Sequence, residues 1–189
     1  MRDVIVLPGI GGSGEAHWQS HWEKAETRMR RFSPSSWDQP VLDDWIEALD
    51  REVGNLAEPP LLVAHSLSCL LVTHWAGQSR RVAAGALLVA PPDPTSSVFP
   101  GEAASFANPP MAALPFASLV VASSNDDYGS LAYARTCANQ WGSAFLDVGA
   151  YGHLNSNSGL GDWPRGRAAL TAFEASLGQV SSSRALRSL

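Results

Sequence analysis

Short apolar runs alternate with segments of helical periodicity along most of the chain. Five apolar runs are present, at residues 3–9, 60–66, 85–92, 116–124 and 144–149. They are rich in branched side chains and lack polar/apolar alternation, which is typical of strands buried on both faces. Helical periodicity is found between or after them, at residues 17–29, 41–53, 130–142 and 166–178. This alternation predicts an α/β fold, with a mostly parallel sheet flanked by helices on both faces.

The length of 189 residues suits one domain with a substantial core. We expect a single domain over residues 1–178 and a polar tail over residues 179–189. Residues 92–115 interrupt the alternation with a stretch rich in Pro, Ser and Ala. Loops of that length are usually functional or disordered, so we expect this segment to cover one edge of the sheet as a mobile lid or a fixed wall.

Charge and hydropathy exclude several classes of protein. A net charge of −5 provides no basic surface for nucleic acid or anionic membrane. No apolar run approaches the roughly 20 residues that span a bilayer, and the first run lacks the cleavage site of a secretion signal. Cys69 and Cys137 fall in predicted buried helices, which favours two thiols in a reducing cytoplasm over a disulfide. We therefore expect a cytoplasmic protein with no membrane or nucleic-acid partner.

Ser66, Asp126 and His153 each follow the end of a predicted strand. Ligands of parallel α/β sheets bind at the carboxyl ends of the strands, so these side chains are expected to share one edge. Serine, aspartate and histidine occur in this order in α/β-hydrolases. A serine hydroxyl needs an imidazole to remove its proton, and a carboxylate to orient that imidazole. We expect Ser66 as nucleophile, His153 as general base and Asp126 as its partner.

A tetrahedral oxyanion needs two donors placed in advance. The N–H of Leu67, directly after the nucleophile at a helix start, is one candidate. The second is the N–H of Ile10, in the glycine loop at residues 8–14. This loop has neither the full dinucleotide-binding pattern nor a Walker A lysine, so we predict no cofactor.

Each candidate also fits a structural role. In the usual G-x-S-x-G elbow both outer positions are glycine, whereas here they are Ala64 and Ser68. Ser66 could therefore be a buried strand serine, Asp126 or Asp127 a turn residue, and His153 a solvated loop residue. The remaining histidines are expected to be structural and predict no metal site; they are His17, His21, His65 and His74.

Four motifs resemble those of the small serine α/β-hydrolases that include the retinoblastoma-binding serine hydrolase and bacterial proteins of the YdeN type. They are PGIGGSGEAHWQSHWE, HSLSC, SSNDDY and YGHLNSNSGLGDWP, within residues 4 to about 173. The resemblance implies a minimal α/β-hydrolase fold of about six strands without a large cap domain. It implies the triad Ser66, Asp126 and His153, although Asp127 replaces the family's proline. The L-x-C-x-E stretch linked to retinoblastoma binding is absent, so that partner is not inferred.

These observations predict a serine hydrolase that forms an acyl-enzyme on Ser66 and cleaves a small carboxylic ester, or less readily an amide. The alternative is a hydrolase-fold protein that binds or regulates without catalysis. Apolar side chains expected to reach the carboxyl edge of the sheet would line the pocket; they are Trp18, Phe99, Phe106, Met111 and Leu154.

Overall fold

A computed structural model describes the backbone of residues 2–185 and the side chains of residues 2–178. Within this part of the chain six strands form one sheet, in the order β2-β1-β3-β4-β5-β6. The strands are β1 (Val4–Leu7), β2 (Met29–Arg31), β3 (Leu61–His65), β4 (Gly85–Val89), β5 (Ser118–Ala122) and β6 (Ala144–Asp147). Every neighbouring pair is parallel, so the predicted parallel sheet is confirmed.

Helices cover both faces of the sheet. They are α1 (Trp18–Ala25), α2 (Leu42–Gly54), α3 (Leu67–Gln78), α4 (Leu131–Trp141) and α5 (Pro164–Ala185). Alternate strand residues point to opposite faces: Ile5 and Leu7 pack with α2, α3 and α4, whereas Val4 and Val6 pack with α1 and α5. Because both faces are covered, the central strands β1, β3, β4 and β5 are mostly apolar without alternation. No helix among the described residues has the length and apolarity needed to cross a membrane.

Two boundaries differ from the sequence-based expectation. Helix α1 ends at Ala25 instead of residue 29, and Met29 begins β2, a strand of three residues at the sheet edge. Helix α5 does not stop at Gly178 but continues to Ala185, because a helix tolerates an interior glycine at a cost of about 1 kcal/mol. Helix α5 therefore continues across residue 178, where the sequence predicts the boundary between domain and tail. That boundary stays a prediction. Residues 186–189 of the expected tail lie outside the described residues.

The segment at residues 92–115 is attached to the core in several places. It contains a 3₁₀ helix, Gly101–Phe106. The ring of Phe106 is fully buried, and its centroid lies 5.4 Å from that of the Trp45 ring. At the far end of this segment the indole N–H of Trp141 donates to the Pro110 carbonyl at 3.1 Å. These anchors on α2 and α4 favour a fixed wall.

The site is positioned by a change in winding direction between β1 and β3. The chain passes from β1 to β2 on one side of the sheet, and then returns to place β3 on the other side of β1. The loops that follow β1 and β3 therefore diverge and leave a crevice at the carboxyl edge, where ligands of such sheets bind.

Candidate active site

Ser66 occupies a strained turn between β3 and α3. Its backbone has φ 55° and ψ −125°, a conformation that side chains other than glycine rarely adopt. The N–H of Ser66 donates to the Val89 carbonyl at 2.9 Å, and its carbonyl accepts from the Cys69 N–H at 2.8 Å. Such strain costs on the order of 1–3 kcal/mol and persists only where the surroundings fix it. The turn exposes the hydroxyl of Ser66 at the edge of the sheet.

Small residues around this turn allow the neighbouring loop to approach closely. A Cβ added to Gly9 would lie 2.9 Å from the Cβ of Ser66, so only glycine fits there. Ser68 is fully buried, and its hydroxyl donates to the Pro8 carbonyl at 2.5 Å. Ala64, the other position that is usually glycine, is also fully buried. The close packing is thus provided by Gly9 together with the small residues Ala64 and Ser68.

Ser66, His153 and Asp126 form a continuous hydrogen-bonded chain. The Oγ of Ser66 lies 2.8 Å from Nε2 of His153. Nδ1 of the same ring lies 2.9 Å from both carboxylate oxygens of Asp126. A carboxylate only accepts, so Nδ1 carries the proton and Nε2 is free to accept the hydroxyl proton of Ser66. The side chain of Asp126 is 2% exposed, which removes water from competition for this bond.

The two adjacent aspartates differ in environment. Asp126 also accepts the N–H of Tyr128 at 2.9 Å, whereas Asp127 is exposed. The ring of Tyr128 lies against that of His153, with centroids 4.5 Å apart. Tyr128 was not among the residues predicted from the sequence, although its place in SSNDDY puts it next to the predicted acid.

Two polar residues after β5 hold the loop that carries His153. The hydroxyl of Ser123 accepts the N–H of Tyr151 at 2.9 Å, and the side-chain oxygen of Asn125 accepts the N–H of Gly152 at 2.7 Å. The Ser123 hydroxyl in turn donates to Asn125 at 2.9 Å. Sequence reasoning did not identify these residues, because the pattern around them indicates only a turn.

The two predicted oxyanion donors lie at the mouth of the crevice. Ile10 and Leu67 both line the cavity beside Ser66. Leu67 is the first residue of α3, where backbone N–H groups have no partner within the helix. In the part of the chain that the structure describes, no acceptor is bonded to the N–H of Ile10, whereas the next N–H groups of the loop, of Gly11 and Gly12, donate to Trp37 and Gly9.

A cavity of about 430 Å³ surrounds the Ser66 hydroxyl. Its walls come from the glycine loop, the two strand ends, the segment at 92–115 and the loop after His153. The lining residues are Ile10, Gly11, Ser13, Gly14, His17, His65, Ser66, Leu67, Pro92, Pro100, Glu102, Tyr128, His153, Asn155, Ser156 and Asn157. Most of them are polar or small.

None of the five predicted pocket residues lines this cavity. Trp18 and Leu154 are fully buried beneath it, joined by a bond from the indole N–H to the Leu154 carbonyl. Phe106 is buried against Trp45, and Phe99 packs partly buried on the same side of the sheet. Met111 points outward and is 38% exposed. These apolar residues belong mainly to the core, whereas most residues that line the cavity are polar or small.

Two buried histidines lie beside His153. Burial is the main cause that lowers the pKa of His17 to about 4, with the charge of Arg31 adding to it. Burial also holds the pKa of His65 well below its usual value. The ring centroids of His17 and His65 are 4.7 Å apart, and those of His65 and His153 are 5.1 Å apart. Both neighbours are therefore neutral at pH 7. No group of three His, Cys, Asp or Glu among the described residues is arranged to hold a metal ion.

Comparison with known proteins gives one family match and several similar structures. The model of the family "Serine hydrolase" matches residues 4–172. A crystal structure described as a YdeN-like hydrolase from Pectobacterium atrosepticum has 32% sequence identity and a TM-score of 0.83, covering 93% of this chain and 91% of that chain. No curated protein sequence matches the chain.

Two more distant structures share the fold. The ydeN gene product from B. subtilis has 22% identity and a TM-score of 0.72, covering 93% of this chain and 100% of that chain. A thermophilic esterase from Thermogutta terrifontis has 14% identity and a TM-score of 0.71, covering 94% and 90%. The fold is thus an α/β-hydrolase core with no large cap domain evident in the described residues. The family match over residues 4–172 shows that the chain belongs to the serine hydrolase family.

Proposed function

We propose that the protein hydrolyses a small carboxylic ester through an acyl-enzyme on Ser66. The observation that carries this proposal is the hydrogen-bonded chain from Ser66 through His153 to Asp126, with bonds of 2.8 and 2.9 Å. Within a serine hydrolase family, that chain supplies a nucleophile, a base and a group that orients the base.

The reaction starts when Nε2 of His153 takes the hydroxyl proton of Ser66 as Oγ attacks the ester carbonyl carbon. The carbonyl oxygen becomes an oxyanion, which the N–H groups of Ile10 and Leu67 stabilise. The intermediate collapses, the bond to the alcohol oxygen breaks, and His153 returns its proton to that oxygen. Water then attacks the acyl-enzyme in the same way and releases the acid. Asp126 stays ionised and stabilises the imidazolium in each step.

The cavity supports a small substrate. Its volume of about 430 Å³ lies in the lower part of the range for small-molecule sites, roughly 300–1,000 Å³. An amide substrate would follow the same steps with an amine as leaving group. A protein that only binds or regulates is the alternative, and it requires no bond between Ser66 and His153.

The test compares hydrolysis of p-nitrophenyl acetate by the wild type and by Ser66→Ala. We expect the variant to lose about 10⁴-fold or more in kcat, because the nucleophile is removed. Ser176→Ala is the matched control, since that hydroxyl lies on α5 and donates to the Phe173 carbonyl. Circular dichroism and Tm of both variants establish that they fold. Equal turnover by Ser66→Ala and the wild type would contradict the proposal; a folded wild type with no turnover of any short ester would favour the binding protein.

A further inference from the structure

Two buried aromatic N–H groups hold consecutive main-chain carbonyls of the loop that carries His153. Nε2 of His65 lies 2.9 Å from the carbonyl oxygen of His153. Nε1 of Trp18 donates to the carbonyl oxygen of Leu154 at 2.8 Å. His65 and Trp18 are 4% and 1% exposed, so water cannot substitute easily for either donor.

The backbone of the loop that carries His153 has a conformation that needs support from its surroundings. Gly152 has φ 60° and Leu154 has φ 51°, so residues on both sides of His153 lie in the left-handed region. For a branched side chain such as that of Leu154 this conformation is unfavourable and requires support from its surroundings. The bonds from His65 and Trp18 provide that support on the carbonyl side, opposite the N–H groups held by Ser123 and Asn125.

His65 links this support directly to the nucleophile. It is the last residue of β3 and immediately precedes Ser66. A carbonyl oxygen only accepts, so Nε2 of His65 must carry the proton that bonds it. The same short segment of backbone thus places the serine hydroxyl and the donor that holds the histidine, and a displacement of one moves the other with it.

Trp18 links the loop to the helices α1 and α5 on one face of the sheet. It begins α1, and its ring packs against those of Trp22 and Trp163, with centroids 4.5 and 4.9 Å away. These contacts fix the indole, because a ring enclosed by other rings has no room to change rotamer. The Leu154 carbonyl is therefore bonded to an indole whose position is fixed by packing.

We propose that His65 and Trp18 are positioning residues that hold Nε2 of His153 within reach of the Ser66 hydroxyl. This inference rests on the proposed function and assigns neither residue a contact with substrate. Loss of either donor releases the loop, so proton transfer slows. A small displacement of a catalytic group can cost on the order of 10²-fold in rate.

The first test compares two buried tryptophans whose indole N–H groups donate to different acceptors. Trp18→Phe removes the donor to Leu154 and retains an aromatic ring. Trp75→Phe is the matched control, because Trp75 is also fully buried and its indole donates to the carboxylate of Asp50 on α2, which does not line the cavity. We expect Trp18→Phe to lower kcat for p-nitrophenyl acetate by ten-fold or more with KM within two-fold, and Trp75→Phe to leave both near the wild-type values. Equal losses of kcat in the two variants, at equal loss of Tm, overturn the proposal.

The second test asks whether the donor itself matters at position 65. His65→Leu removes it, whereas His65→Gln places an amide N–H where it can again reach the His153 carbonyl. His74→Leu, a buried histidine on α3, controls for loss of a core imidazole. We expect the kcat of His65→Gln to be at least ten-fold higher than the kcat of His65→Leu. A glutamine variant no more active than the leucine variant overturns the role of His65.

A readout that needs no turnover separates this inference from the proposed function. The proton on Nδ1 of His153, bonded to Asp126, can be observed by NMR in histidine-labelled protein. We expect its signal to broaden or disappear in His65→Leu and Trp18→Phe and to persist in His74→Leu and Trp75→Phe. If the wild type hydrolyses no ester, the proposed function fails while this comparison still reports on the loop. Unchanged signals in all four variants overturn the proposal.

Discussion

Two neighbouring strands of the sheet are each followed by a residue with the same positive φ. Ser66 follows β3 and Ala90 follows β4, and both have φ 55°. In both turns the N–H donates to a carbonyl near the end of the next strand, that of Val89 at 2.9 Å for Ser66 and that of Val121 at 2.8 Å for Ala90. Backbone strain at a strand end is therefore not specific to the candidate nucleophile.

What differs is the environment of the two turns. Helix α3 begins immediately after Ser66 and presents the N–H of Leu67, whereas Pro91 and Pro92 follow Ala90. Proline has no N–H, so the second turn offers no donor for an oxyanion. Ser66 also has His153 within 2.8 Å, while Ala90 is buried among apolar side chains. The strained turn exposes a side chain, and the donors and the base around it determine whether that side chain can react.

Removal of the carboxylate should make the Ser66 turn nearly as inert as the Ala90 turn. Asp126→Asn keeps the shape of the side chain but no longer stabilises the imidazolium or the required tautomer of His153. We expect kcat for p-nitrophenyl acetate to fall by about 10²–10⁴-fold. Asp127→Asn is the control, and its kcat should stay within about three-fold of wild type because that side chain is exposed. A larger loss in Asp127→Asn than in Asp126→Asn would reassign the acid.

The glycine loop packs closely against Ser66, and a substitution in this loop tests whether that packing is needed for activity. In Gly9→Ala the new Cβ would meet the Cβ of Ser66 at 2.9 Å and displace the loop that carries Ile10. We expect kcat to fall by roughly 10- to 100-fold, because a displaced donor stabilises the oxyanion less.

Gly77→Ala is the matched control for this substitution. Gly77 lies on α3 and does not line the cavity, and an added Cβ there meets no atom within 4 Å. Its kcat should remain within two-fold of wild type. If both alanine variants retain full activity, the close packing at Gly9 has no part in the function.

The buried histidines beside the Ser66 turn make the protein sensitive to acid. The folded state holds the pKa of His17 at about 4, below the 6.5 of an exposed imidazole, mainly through burial. The unfolded chain therefore binds a proton more readily below pH 6.5, and the free energy of unfolding should fall by about 2 kcal/mol from pH 7.5 to pH 5 through this residue. Urea unfolding of the wild type and of His17→Gln at both pH values measures this change in the free energy of unfolding. The variant should lose less stability over this range, and equal losses would show that His17 is not responsible.

The smallest effect is expected at the second turn itself. Ala90→Gly relieves the positive φ but removes a buried methyl group and adds entropy to the unfolded chain. Because these contributions oppose each other, the free energy of unfolding should change by less than about 1 kcal/mol. Turnover should stay within two-fold of wild type. A strong loss of turnover would mean that this turn also shapes the site.

Chain order and strand ends were sufficient to predict which side chains meet at the sheet edge. Ser66, Asp126 and His153 follow apolar runs that are long enough to be recognised as strands. Strand β2 was missed because it has only three residues, two of them arginine, and forms through pairing with β1. Such a strand has no apolar pattern of its own.

The cavity wall could not be predicted, because it comes from segments without periodicity. Pro92, Pro100 and the asparagines Asn155 and Asn157 reach it from loops, whose paths depend on tertiary contacts. Apolar residues that the sequence predicts to line the cavity, such as Trp18, lie in the core instead. The role that we propose for Trp18, holding the Leu154 carbonyl, depends on an indole N–H that hydropathy does not describe.

The most direct test of the account is the reaction of the protein with a fluorophosphonate, which modifies only a serine that is activated for attack. Intact mass spectrometry should show one added group per chain, and peptide mapping should place it on Ser66. Ser66→Ala should remain unmodified, and Asp126→Asn should react far more slowly. A folded wild type that gains no mass, or that carries the group on another residue, would contradict the assignment of Ser66 as the nucleophile.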